Sequence, residues 1–252
     1  MRVRPQVLLI ALAVPPLGLA QEPPSSSYSV TTALPAAQGE PALGTQYRTA
    51  VQDAVDLSLA GNPAAAAPVL TDAVRYCDAQ QAVPGRRALS FQTHRQYTMY
   101  MEGPGRGTPT EWLDLACAKA YNHLGYIALE HGDVDAALRW LDKAIAVAPY
   151  DAEALCERGA ALVRRKDWQG AMDAYTRALE LARSQPENRR MEALALRGVG
   201  FAHIELGDLP SARAAYLASQ KIDPDSKTAR NELIYIDQLE QAAGRRPSTP
   251  PN

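Results

Sequence analysis

Cysteine and histidine are the first residues to consider for chemistry, because thiolates and imidazoles serve as nucleophiles, general bases and metal ligands. The chain has three cysteines and four histidines. A catalytic thiol needs a neighbouring base, and for Cys156 the sequence offers only His123. No Cys-x-x-Cys pair and no paired His/Cys spacing is present, so the sequence predicts no zinc site.

The glycine-rich run 103–107 is the segment most easily mistaken for a phosphate-binding loop. It lacks the Gly-Lys-Ser/Thr ending and a preceding strand, so we reject that interpretation. No Ser/His/Asp set and no catalytic pair of carboxylates stands out, and the histidines are scattered: His94, His123, His131 and His203. We therefore expect no catalytic residues, no cofactor and no metal, and predict that the protein is not an enzyme.

A repeated spacing of glycine, aspartate and alanine organises the middle of the chain. Gly132-Asp133 is followed by Ala137, Leu141, Ala144 and Pro149, and the spacing returns as Gly159, Asp167, Ala171, Tyr175, Ala178 and as Gly200, Gly207-Asp208, Ala212, Tyr216, Pro224. A period of about 34 residues is typical of a helix-turn-helix array. Gly or Ala in the first helix lets the second approach closely, and Gly-Asp supplies a helix end and the next N-cap.

The pattern resembles the tetratricopeptide repeat (TPR). The residues that carry the resemblance in the clearest unit are Tyr121 in the Trp place, Leu124-Gly125, and then Ala137, Leu141 and Pro149. The resemblance implies an all-α fold, a right-handed solenoid of helix-turn-helix units with a C-terminal capping helix. It also implies that the first helix of each unit lines a concave groove that binds a protein or peptide.

The repeat register divides the chain into consecutive segments. Residues 47–80 are a degenerate TPR-like unit, and 81–117 match no repeat. Complete units follow at 118–151, at 152–192 with an extended second helix, and at 193–226. The remaining segments are a signal peptide at 1–20, a flexible linker at 21–45, a capping helix at 227–243 whose alternative role is dimerisation, and a disordered tail at 244–252.

The insert 81–117 has a helical pattern of apolar residues. The spacing between Arg87 and Met101 predicts an irregular amphipathic helix, and the run 108–111 (TPTE) has the form of a capping box that extends the next helix backward. The segment is rich in aromatic residues. Two interpretations stay open: a lid or partner-docking element, or a helix that joins the first two units by packing.

The resemblance assigns a set of residues to the binding groove. These are Lys119, Asn122, Tyr126, Arg164, Arg197 and Phe201. Cys156 and Ala160 belong to the same groove-facing set. We expect Tyr126 and Phe201 to anchor a peptide, unless the insert or the capping helix covers them. Arg164 and Arg197 would bind a carboxylate or an acidic segment. Glu153, Cys156 and Glu157 replace the Lys/Asn clamp of chaperone-binding TPR domains, which argues against a reader of C-terminal carboxylates.

The N-terminal residues predict export. Arg2 and Arg4 precede an apolar run from Val7 to Ala20, which is typical of a cleaved secretory signal. Composition favours a Gram-negative periplasm, where disulfides form. Cys77 ends the second helix of the first unit and Cys117 directly precedes the next unit, so Cys77–Cys117 is the favoured disulfide.

Charge excludes one class of partner. The formal net charge is −2, and removal of the two signal-peptide arginines makes the mature chain more acidic, so nucleic acid is not expected. No apolar run after the signal is long enough to span a membrane. The sequence therefore predicts a non-catalytic periplasmic scaffold that binds a protein or peptide partner and serves envelope assembly or maintenance. The alternatives are a homo-oligomeric structural protein or an enzyme with an unrecognised site.

Overall fold

A computed structural model of the chain describes residues 43–185 and 188–244. The expected signal peptide, most of the expected linker and the tail beyond residue 244 lie outside these residues. The helices are α1 Arg48–Leu59, α2 Pro63–Gln81, α3 His94–Glu102, α4 Leu115–Glu130, α5 Val134–Val147, α6 Ala152–Arg164, α7 Trp168–Arg183, α8 Arg189–Glu205, α9 Leu209–Ile222 and α10 Lys227–Gly244. Two short strands, β1 Arg87–Ser90 and β2 Thr110–Leu113, pair in parallel. The fold is an all-α solenoid.

The turns inside the repeats have the predicted chemistry. Gly132 adopts φ 80°, a left-handed conformation that glycine accepts at no steric cost, and the Asp133 side chain accepts a hydrogen bond from the Ala136 N–H to cap α5. In the next unit Lys166 takes the same left-handed place with φ 63°, a conformation that costs an ordinary residue about 1 kcal/mol. Asp167 still caps α7 through the Gly170 N–H. The turn geometry therefore survives the loss of its glycine.

Glycines in the first helices receive large side chains from the second helices. A Cβ at Gly125 would lie 2.7 Å from Leu141, and one at Gly200 would lie 2.7 Å from Tyr216. Tyr175 is enclosed from two units, because a Cβ would lie 2.6 Å from its ring at Gly159 and 2.3 Å at Gly198. Contacts this short are not available to a real Cβ, so these glycines permit the helices to approach.

The array curves because its two rows of helices pack unequally. The first helices contact one another in sequence, α1 on α4, α4 on α6 and α6 on α8. Successive second helices share far fewer close contacts. The first helices therefore form the inner row of the curve, and their exposed side chains face the inner surface.

The insert differs from its predicted structure. The expected helix over Arg87–Met101 is wrong in its first half, where residues 87–90 form β1, and right from His94 onward, where α3 begins, capped by the Thr93 side chain. The expected capping box is also wrong, because Thr110–Leu113 form β2 and α4 is capped by Asp114, which accepts from the Ala116 N–H at 2.8 Å. The backbone N–H and C=O groups of the two strands form hydrogen bonds with each other. A single four-residue strand would leave those groups without partners.

Aromatic side chains fix the insert to the array. Phe91, Tyr100 and Trp112 are buried together, and the Phe91 ring lies 6.3 Å from Tyr150 in the loop between α5 and α6. The Trp112 indole N–H donates to the Phe91 carbonyl at 3.2 Å. The insert is thus a small β-α-β element with its own aromatic core.

Two predicted boundaries also move. The flexible linker does not reach residue 45, because Leu43 bridges to β2, donating its N–H to the Trp112 carbonyl at 3.2 Å and accepting from the Asp114 N–H at 2.7 Å. The second helix of the 152–192 unit ends at Arg183, and α8 already begins at Arg189. Most of the additional length in that unit is therefore connection rather than helix.

Several bridges join the first unit to the array. Cys77 on α2 and Cys117 on α4 form a disulfide, the pairing that the sequence favoured, and both are fully buried. The Arg48 Nε donates to the buried Asp114 carboxylate at 3.0 Å.

At the C-terminal end of the array, Ala229 and Ile236 of α10 cover Tyr216 of α9.

Candidate partner-binding groove

The inner surface of α4 carries three of the residues that the sequence assigned to a groove. Lys119, Asn122 and Tyr126 recur at helical spacing and therefore share a face. Lys119 and Tyr126 are half-buried, whereas Asn122 is 9% exposed. The structure brings these three together and adds His123, which lies beside them and stacks on Tyr126 with ring centroids 5.2 Å apart.

Two polar atoms on this face are buried without a partner. The Asn122 Oδ1 and the His123 Nε2 are inaccessible to solvent and make no hydrogen bond among the described residues. Desolvation lowers the pKa of His123 to about 4, against the raising effect of Asp56. The imidazole is therefore neutral at pH 7, and one of its ring nitrogens is an acceptor.

The beginning of α6 brings carboxylates to the same surface. The Asp151 side chain caps α6 by accepting a hydrogen bond from the Glu153 N–H. Asp151 and Glu153 are half-buried, whereas Glu157 is 5% exposed. Desolvation, followed by repulsion from Asp151 and Glu157, raises the pKa of Glu153 to about 8. Lys119 and Arg190 act in the opposite direction and lower this pKa.

Lys119 lies between α1 and α6. Desolvation lowers the pKa of its ammonium, while the carboxylates of Glu153, Asp151 and Asp56 raise it. These carboxylates come from α1 and from the start of α6. Lys119 on α4 therefore lies between the charged groups of its two neighbouring inner helices.

The other predicted groove residues have partners within the chain. The Arg164 guanidinium lies 3.8 Å from Glu130, and the Arg197 guanidinium lies 3.0 Å from Asp223 and 3.3 Å from the Ser219 hydroxyl. Phe201 is half-buried and meets Trp168 edge-on at 6.5 Å. Arg197 also borders a pocket of about 280 Å³ lined in addition by Arg190, Met191, Leu194, Asp223 and Lys227. Phe201 also packs on the apolar cluster that includes Leu155, Leu162 and Leu196.

The thiol of Cys156 is not activated. The residue is 4% exposed, and desolvation, followed by the nearby Glu157 and Glu153 carboxylates, raises its pKa well above the ordinary value. A nucleophilic thiol requires the opposite shift. Within residues 43–185 and 188–242, no group of three His, Cys, Asp or Glu side chains is arranged to hold a metal ion. In the described part of the chain no helix combines the length and apolarity needed to cross a membrane.

Comparison with known proteins identifies the repeats. A family model for the tetratricopeptide repeat matches residues 112–152 and 123–188. The match covers residues 112–188, from β2 through α7, and includes the inner helices α4 and α6. This part of the chain is similar to tetratricopeptide repeats. No curated protein matches the chain by sequence.

Solved structures share the architecture. The pilF protein of Pseudomonas aeruginosa is 14% identical with a TM-score of 0.55, over 78% of this chain and 69% of that one. The first TPR domain of human RPAP3 is 24% identical with a TM-score of 0.46, over 51% and 96%. The Sgt2 TPR domain from Aspergillus fumigatus is 18% identical with a TM-score of 0.46, over 54% and 86%. At 14% identity, the likeness to pilF shows the fold alone.

Two residues of this surface lie outside the predicted groove set. His123 follows Asn122 on the same turn of α4 and therefore lies beside that set. Glu153 lies at the start of α6. The signal that would have found it is the sequence Asp151-x-Glu153-x3-Glu157, which places three carboxylates within two turns at the start of one inner helix.

Proposed function

We propose that this protein is a non-catalytic periplasmic scaffold that binds a protein or peptide partner through the inner groove of its TPR array, in assembly or maintenance of the cell envelope. Tetratricopeptide repeats are protein-interaction modules. The observation that carries the groove assignment is the inner face of α4, where the side chains of Lys119 and Tyr126 remain partly exposed beside one another at helical spacing. Partly exposed polar and aromatic side chains of this kind can anchor a peptide.

Photo-crosslinking tests the groove assignment. A benzophenone amino acid replaces Ala160, which is half-buried on the inner helix α6, or Thr176, which is exposed on the second helix α7. We expect an envelope partner to be crosslinked from position 160 and not from position 176. A partner captured only from position 176 would contradict groove binding. Crosslinks solely between two copies of the chain would favour the homo-oligomeric alternative.

The periplasmic assignment has its own support and its own test. It rests on the N-terminal apolar run and on the Cys77–Cys117 disulfide, since such bonds persist in oxidising compartments. A fusion of residues 1–46 to alkaline phosphatase should be active in a Gram-negative host, because that enzyme requires periplasmic disulfides. Deletion of residues 7–20 is the control. Activity that survives the deletion, or inactivity of the intact fusion, would contradict export.

A further inference from the structure

The last helix, α10, stands where a further unit would begin, because the connection from α9 to α10 has the same length as the one from α5 to α6. Gly125 and Gly159 lie one repeat apart, and each is covered by the second helix of its own unit. The same step from Gly200 leads to Ile234 of α10. No helix follows α10 in the part of the chain that the structure describes, and Ile234 is 55% exposed.

A second apolar side chain is exposed on α9. In the two earlier units of the array, the residue that follows the side chain over the glycine is polar and exposed, Asp142 and Thr176. In the last unit this residue is Leu217, which is 46% exposed. The outer face of a terminal repeat is normally polar, because no further unit covers it. Exposed Leu217 and Ile234 depart from that rule.

The ion pair between α9 and α10 shows that Leu217 and Ile234 lie on one side of these helices. The Arg213 guanidinium on α9 donates to Asp237 on α10 at 2.6 Å. Leu217 lies one turn after Arg213, and Ile234 lies one turn before Asp237. Because the short connection makes the two helices antiparallel, one turn forward on α9 corresponds to one turn back on α10. The two apolar side chains therefore form one patch at the C-terminal end of the array.

Charge along the exposed part of α10 is divided between its two halves. Lys227 and Arg230 are exposed in the first half, and Arg230 donates to the backbone carbonyl of Asp225 at 3.2 Å. In the second half Asp237 and Glu240 share the Arg213 guanidinium, so one negative charge remains there. An antiparallel second copy of α10 brings the basic half of each helix to the acidic half of the other and opposes the helix dipoles, whereas a parallel copy brings like charges together.

We propose that two copies of this chain pair through α10, antiparallel about a twofold axis at Ile234, with Leu217 at the edge of the interface. Arg230 of each copy then faces Asp237 of the other. Tyr235, which is 41% exposed, adds an aromatic ring beside the axis. An interface of this kind is isologous and closes at two copies. It leaves the inner surfaces of α4 and α6 free, so this proposal and the groove function can fail separately.

Sedimentation equilibrium of the purified protein tests the pairing. One helix and one neighbouring side chain from each copy give a small interface, below about 1,200 Å², so the dimer should form reversibly as the protein concentration rises from about 5 to about 300 µM. Ile234→Glu should weaken dimerisation at least tenfold. Val69→Glu places the same charge at an exposed apolar position of α2, where Val69 is 38% exposed, and is the matched control that should dimerise like the wild type. Circular dichroism shows that both variants are folded.

Cysteine crosslinking tests the axis. Ile234→Cys places two thiols at the twofold axis, and mild oxidation should give a covalent dimer. Lys227→Cys lies two turns away on the same helix, and antiparallel pairing separates its two thiols by about 20 Å along the helix axis, so this variant should not crosslink. A parallel pair would crosslink from both positions.

Charge reversal tests the electrostatic part of the pairing. Arg230→Glu should weaken dimerisation at least fivefold, because it sets a third carboxylate beside Asp237 and Glu240 of the second copy. Arg177→Glu makes the same change on an exposed position of α7 and should have no effect. A chain that stays monomeric throughout, a dimer that Ile234→Glu leaves unchanged, or equal crosslinking from positions 227 and 234 would overturn the proposal.

Discussion

The regular array, α4 to α9, and the N-terminal module, residues 43–114, are stabilised by different means. In the array, the side chains of Leu141, Tyr175 and Tyr216 fill the space above glycines of the first helices, and this contact recurs in every unit. Each unit therefore gains its stability from the next. In the module, Ala54 stands in place of such a glycine, although the buried Ala66, Leu70 and Ala73 keep the repeat spacing.

The module is also joined to the array by bridges. A disulfide joins Cys77 to Cys117, Arg48 reaches across to Asp114, and Asp78 accepts from the Tyr121 hydroxyl at 2.7 Å and from the Lys143 ammonium at 2.9 Å. All of these bridges cross the junction that also holds the N-terminal half of the groove. The comparison indicates that a disulfide and polar bridges hold the first unit to the array in addition to the apolar core that it shares with α4.

The largest effect is expected from Gly198→Leu in the array. A single Cβ there would already lie 2.3 Å from the Tyr175 ring, and a Cβ at Gly159 would lie 2.6 Å from the same ring. Because Tyr175 is buried and crowded from both positions, overpacking should lower the free energy of unfolding by more than about 4 kcal/mol. Urea unfolding followed by circular dichroism measures this loss.

Ala214→Leu, on the exposed face of α9, is the control and should be nearly neutral. In the double variant, Tyr175→Ala should recover part of the loss caused by Gly198→Leu, because the two positions share one space. If Gly198→Leu unfolds like the wild type, the interlocking of neighbouring units through Tyr175 is wrong.

The next effect is expected from the double change Cys77→Ala and Cys117→Ala in the module. The disulfide closes a separation of 40 residues, and its loss should destabilise the module by about 3 kcal/mol, mainly through the entropy of the unfolded chain. Hydrogen exchange should increase in α1 and α2 and remain unchanged in α7 to α9. Equal acceleration along the whole chain would show that the module and the array unfold as one unit.

The same contrast explains what the sequence could predict. The array was predictable because its turns and close contacts use glycine, aspartate and alanine at a fixed period, as at Gly132-Asp133. The insert was not, because Arg87–Ser90 is too short to distinguish a buried strand from a helical turn by periodicity, and its partner strand lies beyond α3. The groove positions were predictable from the repeat register, but the ion pairs of Arg164 and Arg197 and the crowding of carboxylates around Glu153 depend on distances between helices.

A smaller effect is expected from Glu153→Gln, and it depends on pH. Burial raises the pKa of this carboxyl from 4.5 to about 8 in the folded protein, so the protonated form stabilises the fold below pH 4.5 and this contribution is lost as the pH rises through 8. Glutamine cannot ionise. The variant should therefore match the wild type near pH 4.5 and be more stable by about 1–2 kcal/mol at pH 9.

Thermal unfolding between pH 4 and pH 9 measures this difference. The acid side provides a control, because the pKa of His123 is lowered to about 4 by desolvation, and its protonation should destabilise both proteins equally as the pH falls from 6.5 to 4. A constant difference between variant and wild type at all pH values would show that Glu153 is not held in its neutral form.

The smallest effect is expected from Lys143→Met at the junction of module and array. Both Lys143 and Asp78 are about half-exposed, with 46% and 45% of their side chains accessible, and an ion pair in such a place contributes about 0.5 kcal/mol or less. Asp78→Ala should cost more, about 1–2 kcal/mol, since it also leaves the hydroxyl of Tyr121, a residue 1% exposed, without its acceptor. Urea unfolding of both variants measures the two costs. Equal losses would mean that the ion pair, rather than the hydrogen bond to the buried tyrosine, connects α2 to the array.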